Sequence, residues 1–258
     1  MVCFNRWFPF NSWDERNNGR TLIFCFHHAG GMAMAYKKWI EYNDVNWEFV
    51  PVELPGRGCR AAEPSMCNIN EIAYGAAKAI SEFSMGRKVI IYGHSMGARI
   101  AFQVAYELEN SFGLFPLALF VSGMNAPGAY YNERYNTEMN DDYLIKELRY
   151  IGAIPEEILN DQKYMEYFLP IIKKDYMLHE LFSGVGEKLN ASIYVYNGKD
   201  DALVNHKVIN RWSEHTLANT VIRYFEGKHF FLFDLGREYV SYLKNEMFML
   251  RGINTDVK

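Results

Sequence analysis

With 258 residues, 49% of them hydrophobic, the chain is long enough to bury the core of one α/β domain, and it shows no internal repeat or low-complexity segment. Its 31 acidic side chains outnumber 27 basic ones for a formal net charge of −4, which argues against the basic footprint of a non-specific nucleic-acid binder. No apolar run is long enough to span a bilayer, the start Met1-Val2-Cys3-Phe4-Asn5-Arg6 lacks the order of a signal peptide, and Cys3, Cys25, Cys59 and Cys67 show no scaffold spacing, so a cytoplasmic protein with reduced thiols is expected.

In chain order, Arg6-Trp7-Phe8 is a candidate edge strand, and residues 21–26 read as a central strand that runs into His27-His28-Ala29-Gly30-Gly31. Adjacent histidines at a strand end point in opposite directions, so His27 and His28 read as loop architecture rather than a metal pair. A second apolar run covers 47–52 and a third 88–92. The third leads into Gly93-His94-Ser95-Met96-Gly97, after which Ile100, Val104 and Leu108 recur every fourth residue, as one buried helix face requires. A serine between two glycines at a strand-to-helix turn has the context of a nucleophile elbow. His94, beside it, reads as packed support. A fourth run covers 117–122, and residues 140–182 read as helical with breaks at Pro155 and Pro170. An insertion here, about 128–187, is expected to form a lid above Ser95. Its Tyr164, Met165, Tyr167, Phe168, Tyr176 and Met177 either line an acyl channel or pack the lid onto the body. The runs 191–196 and 220–225 complete six strands, followed by Asn197-Gly198-Lys199-Asp200-Asp201 and by Glu226-Gly227-Lys228-His229, respectively.

These segments assign roles by chemistry. A serine hydroxyl is a weak nucleophile until a base takes its proton, and that base needs a carboxylate to orient it. His229 is the candidate base, and Asp200 or Asp201, at the end of the preceding strand, the candidate acid. The order Ser95, Asp, His229 is that of α/β-hydrolases. Their common spacing from the turn glycine favours Asp201 over Asp200, which is then a solvated turn carboxylate. The backbone amide of Met96, after the nucleophile, and that of Ala29, beside Gly30 and Gly31, are the candidate oxyanion donors. The alternation of strands and helices implies a single α/β domain over 1–258, with a mostly parallel central sheet covered by helices on both faces. No metal-ligand spacing occurs, and no cofactor is expected.

Together, Phe26-His27-His28-Ala29-Gly30-Gly31, Leu54-Pro55-Gly56-Arg57-Gly58, Gly93-His94-Ser95-Met96-Gly97-Ala98, Phe120-Val121-Ser122-Gly123 with Ala126-Pro127, Gly198-Lys199-Asp200-Asp201 and Gly227-Lys228-His229-Phe230-Phe231-Leu232 resemble the external, or type II, thioesterases of nonribosomal peptide and polyketide assembly lines. Leu148 through Gly152 with Pro155, and Leu169-Pro170 with Asp175, also look like that family. The resemblance implies an α/β-hydrolase fold and hydrolysis of acyl groups from the phosphopantetheine arm of an acyl or peptidyl carrier protein. By its pattern Ser95, Asp201 and His229 match the triad, and the amides of Ala29 and Met96 the oxyanion site. Two positions depart from it: His27 stands where proline is usual, and Lys228 where glycine is common. A medium-chain fatty acyl-carrier thioesterase, a carboxylesterase of small oxyesters, an acyltransferase and a non-catalytic member of the fold are the alternatives. Arg57, Arg60, Lys37 and Lys38 are candidates for docking an acidic carrier surface.

Overall fold

Each of the six apolar runs becomes a strand. The computed structural model describes residues 5–12, 19–66, 68–129, 140–152, 154–180, 184 and 186–253. Its strands are β1 (Thr21–Phe26), β2 (Trp47–Pro51), β3 (Val89–His94), β4 (Ala118–Ser122), β5 (Ser192–Gly198) and β6 (Thr220–Phe225). They form one sheet in the order β2-β1-β3-β4-β5-β6. Every neighbouring pair is parallel, a stricter arrangement than the mostly parallel sheet expected.

The helices are α1 (Ile69–Ser84), α2 (Met96–Ser111), α3 (Asp141–Ile151), α4 (Glu156–Leu159), α5 (Gln162–Glu180), α6 (Phe231–Asp234) and α7 (Arg237–Ile253). Side chains alternate across a strand, so each strand feeds two cores. Phe24, Ile91, Val121 and Val195 pack with the apolar faces of α1 and α2. Ile23, Tyr92, Phe120 and Tyr196 pack on the opposite side with α7 and with a run of 3-10 turns over Ala33–Tyr42. Strands covered on both faces must be apolar throughout, which is why they read as continuous runs. No helix among the described residues is long and apolar enough to cross a membrane.

Between β4 and β5, helices α3, α4 and α5 build a small core of their own from Leu144, Leu148, Leu159, Met165 and Ile172. The Asn140 side chain accepts a hydrogen bond from the Tyr143 amide at the start of α3, and Gly152 ends that helix at φ +68°. Part of the insertion expected at about 128–187, including 130–139, lies outside the described residues, as do Cys3 and Cys67.

Two local expectations are corrected. Pro155 precedes α4, but Pro170 sits inside α5 and does not break it. Pro170 and Glu166, whose carbonyl loses its helical donor, are both exposed, so water can replace the missing bond. Arg6-Trp7-Phe8 forms a turn rather than a strand. The Phe8 amide donates to the Asn5 carbonyl, and burial of Phe8 against Phe24 and Phe83 holds the segment in place.

Candidate active site

The β3–α2 junction is built around close backbone approaches. Ser95 has φ +56°, in the left-handed region that residues with a Cβ rarely adopt, and its amide donates to the Ser122 carbonyl at the end of β4. A Cβ on Gly93 would lie 2.1 Å from the Gly97 carbonyl oxygen, and one on Gly97 would lie 2.2 Å from that of Phe26. Both positions therefore require glycine, and the strain at Ser95 is held by tight packing on each side. Ser95 itself remains partly exposed, directly before the first turn of α2.

The loops after β5 and β6 are fastened to each other. Lys199 and Asp200 donate their amides to the carbonyls of Phe225 and Gly227, and a Cβ on Gly198 would come within 2.4 Å of the Lys228 carbonyl oxygen. This brings together the expected acid and base. His229 Nδ1 lies 2.8 Å from Asp201 Oδ2, and both side chains are buried. The carboxylate can only accept, so Nδ1 carries the proton and Nε2 is left with its lone pair. Asp201 Oδ1 accepts the Leu203 amide at 2.9 Å, which fixes the carboxylate plane. Asp200 takes a different place, with its side chain exposed and its backbone amide on the Gly227 carbonyl.

The His229 ring sits 4.8 Å from that of His94, the residue before Ser95. Gly123, at φ +61°, makes room for both, since its Cβ would lie 2.7 Å from His94 Cε1 and 3.1 Å from His229 Cε1. The surrounding imidazoles are kept neutral. Burial, then the charges of His229 and Arg57, lowers the pKa of His28 to about 3. Burial, then the neighbouring His229 and His28, holds His94 well below the usual range. Within this cluster His229 is the imidazole that faces a carboxylate.

The two candidate oxyanion donors flank this site. Among the described residues, neither the Ala29 nor the Met96 amide donates to a loop or capping carbonyl. From the His28-Ala29-Gly30 loop an apolar cavity of about 320 Å³ extends beneath the inserted helices, walled by Met32, Leu148, Met165, Phe168 and Ile172. The insertion aromatics divide between the two expected roles: Tyr164, Met165 and Phe168 line the cavity, Tyr176 packs into the insertion core, and Tyr167 and Met177 face solvent.

The basic residues considered for docking are also divided. Arg57 and Arg60 are buried and therefore unavailable to a partner. Arg60 stacks on Trp7 and pairs with Glu63, while Arg57 forms a two-pronged ion pair with Asp175 of α5. Lys37 and Lys38 are exposed. The Asp175 contact escaped the sequence reading because it joins residues 118 apart, a proximity that only the packing of α5 creates.

The model of the thioesterase domain family matches residues 21–241. The gramicidin S biosynthesis protein GrsT of Aneurinibacillus migulanus is 28% identical over 244 residues, 94% of each chain. ClbQ from the colibactin NRPS/PKS pathway superposes with a TM-score of 0.84 at 26% identity, across 91% of this chain and 100% of that one. BorB, the type II thioesterase from the borrelidin biosynthetic cluster, superposes with a TM-score of 0.76 at 29% identity, across 88% and 92% of the two chains.

Proposed function

The chain belongs to the thioesterase domain family, and from that premise we propose that it is a type II thioesterase, clearing acyl groups from the phosphopantetheine arm of carrier proteins in nonribosomal peptide or polyketide synthesis. The observation that carries this reading is the apolar cavity opening at His28, Ala29 and Gly30, where the His28 ring lies 6.3 Å from that of His94, the residue before Ser95. In this reading the acyl chain occupies that cavity and its carbonyl carbon is presented to Ser95. The names of GrsT, ClbQ and BorB support the assembly-line setting.

In the proposed cycle His229 Nε2 removes the Ser95 hydroxyl proton as Oγ attacks the thioester carbonyl. The amides of Ala29 and Met96 donate to the developing oxyanion, and each such donor contributes about 3 kcal/mol of barrier lowering. Collapse breaks the carbon–sulfur bond, and His229 returns its proton to the departing thiolate. A thiol of pKa about 8.5 leaves more readily than an alcohol, so proton delivery matters less in this half than in ester cleavage. Water, deprotonated by His229, then attacks the acyl-serine, releasing the carboxylic acid and restoring Ser95. Asp201 fixes the imidazole tautomer and stabilises its cation throughout. No step calls for a cofactor or metal of the enzyme's own.

The cavity lining also favours a second reading, hydrolysis of medium-chain fatty acyl groups. Its volume lies near the lower end of the roughly 300–1,000 Å³ typical of small-molecule sites, room for an aliphatic chain but not for a long peptide. Turnover of acetyl- through dodecanoyl-pantetheine, read as free thiol, separates the two. Ser95-dependent cleavage of acetyl and propionyl groups supports the editing role, and cleavage confined to octanoyl and longer groups supports the fatty-acyl role. Activity retained in Ser95→Ala contradicts both.

A further inference from the structure

The loop that bears Ala29 is held from outside by α5. Asp175, fully buried on α5, accepts the Gly30 N–H through Oδ2 at 2.7 Å. The same carboxylate takes both prongs of Arg57, Nη1 to Oδ2 at 2.7 Å and Nη2 to Oδ1 at 2.6 Å. Arg57 Nη1 also reaches the Gly31 carbonyl at 3.4 Å. One helical turn before Asp175, Ile172 fills the space where a Gly30 side chain would lie, since a Cβ there would be 2.7 Å from Ile172 Cγ1. Gly30 has φ +73°, so this contact shapes a backbone conformation that favours glycine.

The Ala29 N–H lies in the His28–Ala29 peptide plane. The carbonyl of that plane, from His28, accepts the Gly31 amide at 3.0 Å and lies 2.9 Å from His27 Nδ1. The Gly31 amide is placed in turn by Gly30, whose own N–H is held by Asp175. Removing Asp175 frees Gly30, and with it the Gly31 amide that fixes the His28–Ala29 plane, while the triad, on other loops, is untouched. A buried ion pair is weak evidence for stability in itself, because the desolvation of both charges offsets their attraction. A carboxylate placed to capture a backbone amide inside the protein nevertheless needs a counter-charge, and Arg57 supplies it.

We propose that Asp175 is a positioning residue for the oxyanion site, aiming the Ala29 amide through its bond to Gly30, with Arg57 holding the carboxylate in place. This rests on the reading of Ala29 as an oxyanion donor. It also makes α5 serve two ends, as a wall of the acyl cavity at Ile172 and as the brace of the oxyanion loop at Asp175.

The test is steady-state kinetics on a pantetheine thioester together with inhibition by an acyl trifluoromethyl ketone, which forms the tetrahedral adduct. The double variant Arg57→Met/Asp175→Leu removes both charges, so that neither is left unpaired, yet deletes the acceptor for Gly30. The expected result is a folded protein with kcat reduced about 10- to 100-fold, KM nearly unchanged, and ketone affinity weakened by a similar factor, as for partial loss of one oxyanion donor. Asp175→Leu alone, which also deletes the acceptor, is expected to show the same kcat-only loss if it folds, and Asp175→Asn, which keeps one acceptor oxygen, and Arg57→Lys, which keeps the carboxylate and a counter-charge, smaller ones. If the double variant does not fold, these single variants decide the matter by the same readouts. Unchanged kcat in the folded variants, or a loss confined to KM, overturns the proposal. A parallel Ser95→Ala measurement separates the levels: loss there with none at Asp175 leaves the serine mechanism standing, whereas retained turnover in Ser95→Ala rejects the underlying site itself.

Discussion

His229 Nδ1 and Asp201 Oδ2 lie 2.8 Å apart, although 28 residues and strand β6 separate them in the chain. The bond exists because the loops after β5 and β6 are pinned to one another, and it selects Asp201 over its neighbour as the partner of the imidazole. Asp201→Asn is expected to lower kcat about 10³- to 10⁴-fold by favouring the wrong tautomer, with little change in KM. Asp200→Asn is expected to change it less than about threefold, as for an exposed side chain remote from chemistry. Thioester turnover by the two variants checks this; equal losses would argue against the assignment.

Tight packing at the elbow sets a steric limit. A Cβ at position 93 would sit 2.1 Å from the Gly97 carbonyl oxygen, a contact that only backbone movement relieves. Gly93→Ala is expected to cost about 3 kcal/mol or more in chemical unfolding, or to prevent folding. Gly19→Ala, with nothing within 4 Å of the added carbon, is expected to stay within about 0.5 kcal/mol of the parent. Similar stabilities for the two variants would contradict the close approach.

Two buried histidines, His27 and His94, and the half-buried His28 make folding sensitive to mild acid. Burial, then Arg57, holds His27 well below its usual pKa, and burial does the same for His28 and His94. Well above pH 6.5 these side chains are neutral whether the chain is folded or not, so their linkage is absent. Below it the unfolded chain binds protons that the folded one refuses, and stability falls as the pH falls, for His28 down to its folded value of about 3. Between pH 7.5 and 5.5, above the carboxylate range, the three together are expected to remove about 4 kcal/mol. Urea unfolding at the two pH values measures this directly, and equal stability would mean that the histidines titrate alike in both states.

In the proposed function the cavity beneath α5 holds the acyl chain and limits its length. Met165 is buried in its wall, and Met165→Trp is expected to project into it. Turnover of octanoyl-pantetheine should fall about 10-fold or more in kcat/KM while acetyl-pantetheine stays within about threefold, since each displaced methylene is worth roughly 1–3 kcal/mol in an apolar pocket. Parallel losses on both substrates would place the acyl chain elsewhere.

Much of this was legible in the sequence for identifiable reasons. Strands covered on both faces leave unbroken apolar runs, and the catalytic candidates follow such runs, so Ser95, Asp201, His229 and Ala29 could be located from local context. The errors share a different cause. Arg57 looked like a surface cation because its partner, Asp175, arrives only when α5 packs against the oxyanion loop. Pro170 looked like a break because its exposure, which lets water replace the lost bond, is a tertiary property. The split among the insertion aromatics likewise depends on helix rotation about a small core that has no sequence signature of its own.

The most direct test of the catalytic reading is intact-protein mass spectrometry of a phosphopantetheinylated carrier loaded with acetyl or propionyl groups, incubated with the enzyme or with Ser95→Ala. Loss of the acyl mass with the parent enzyme and its persistence with Ser95→Ala is the expected result. Carrier that keeps its acyl group in the presence of the parent enzyme, while a nitrophenyl ester is cleaved, would contradict it and leave an esterase.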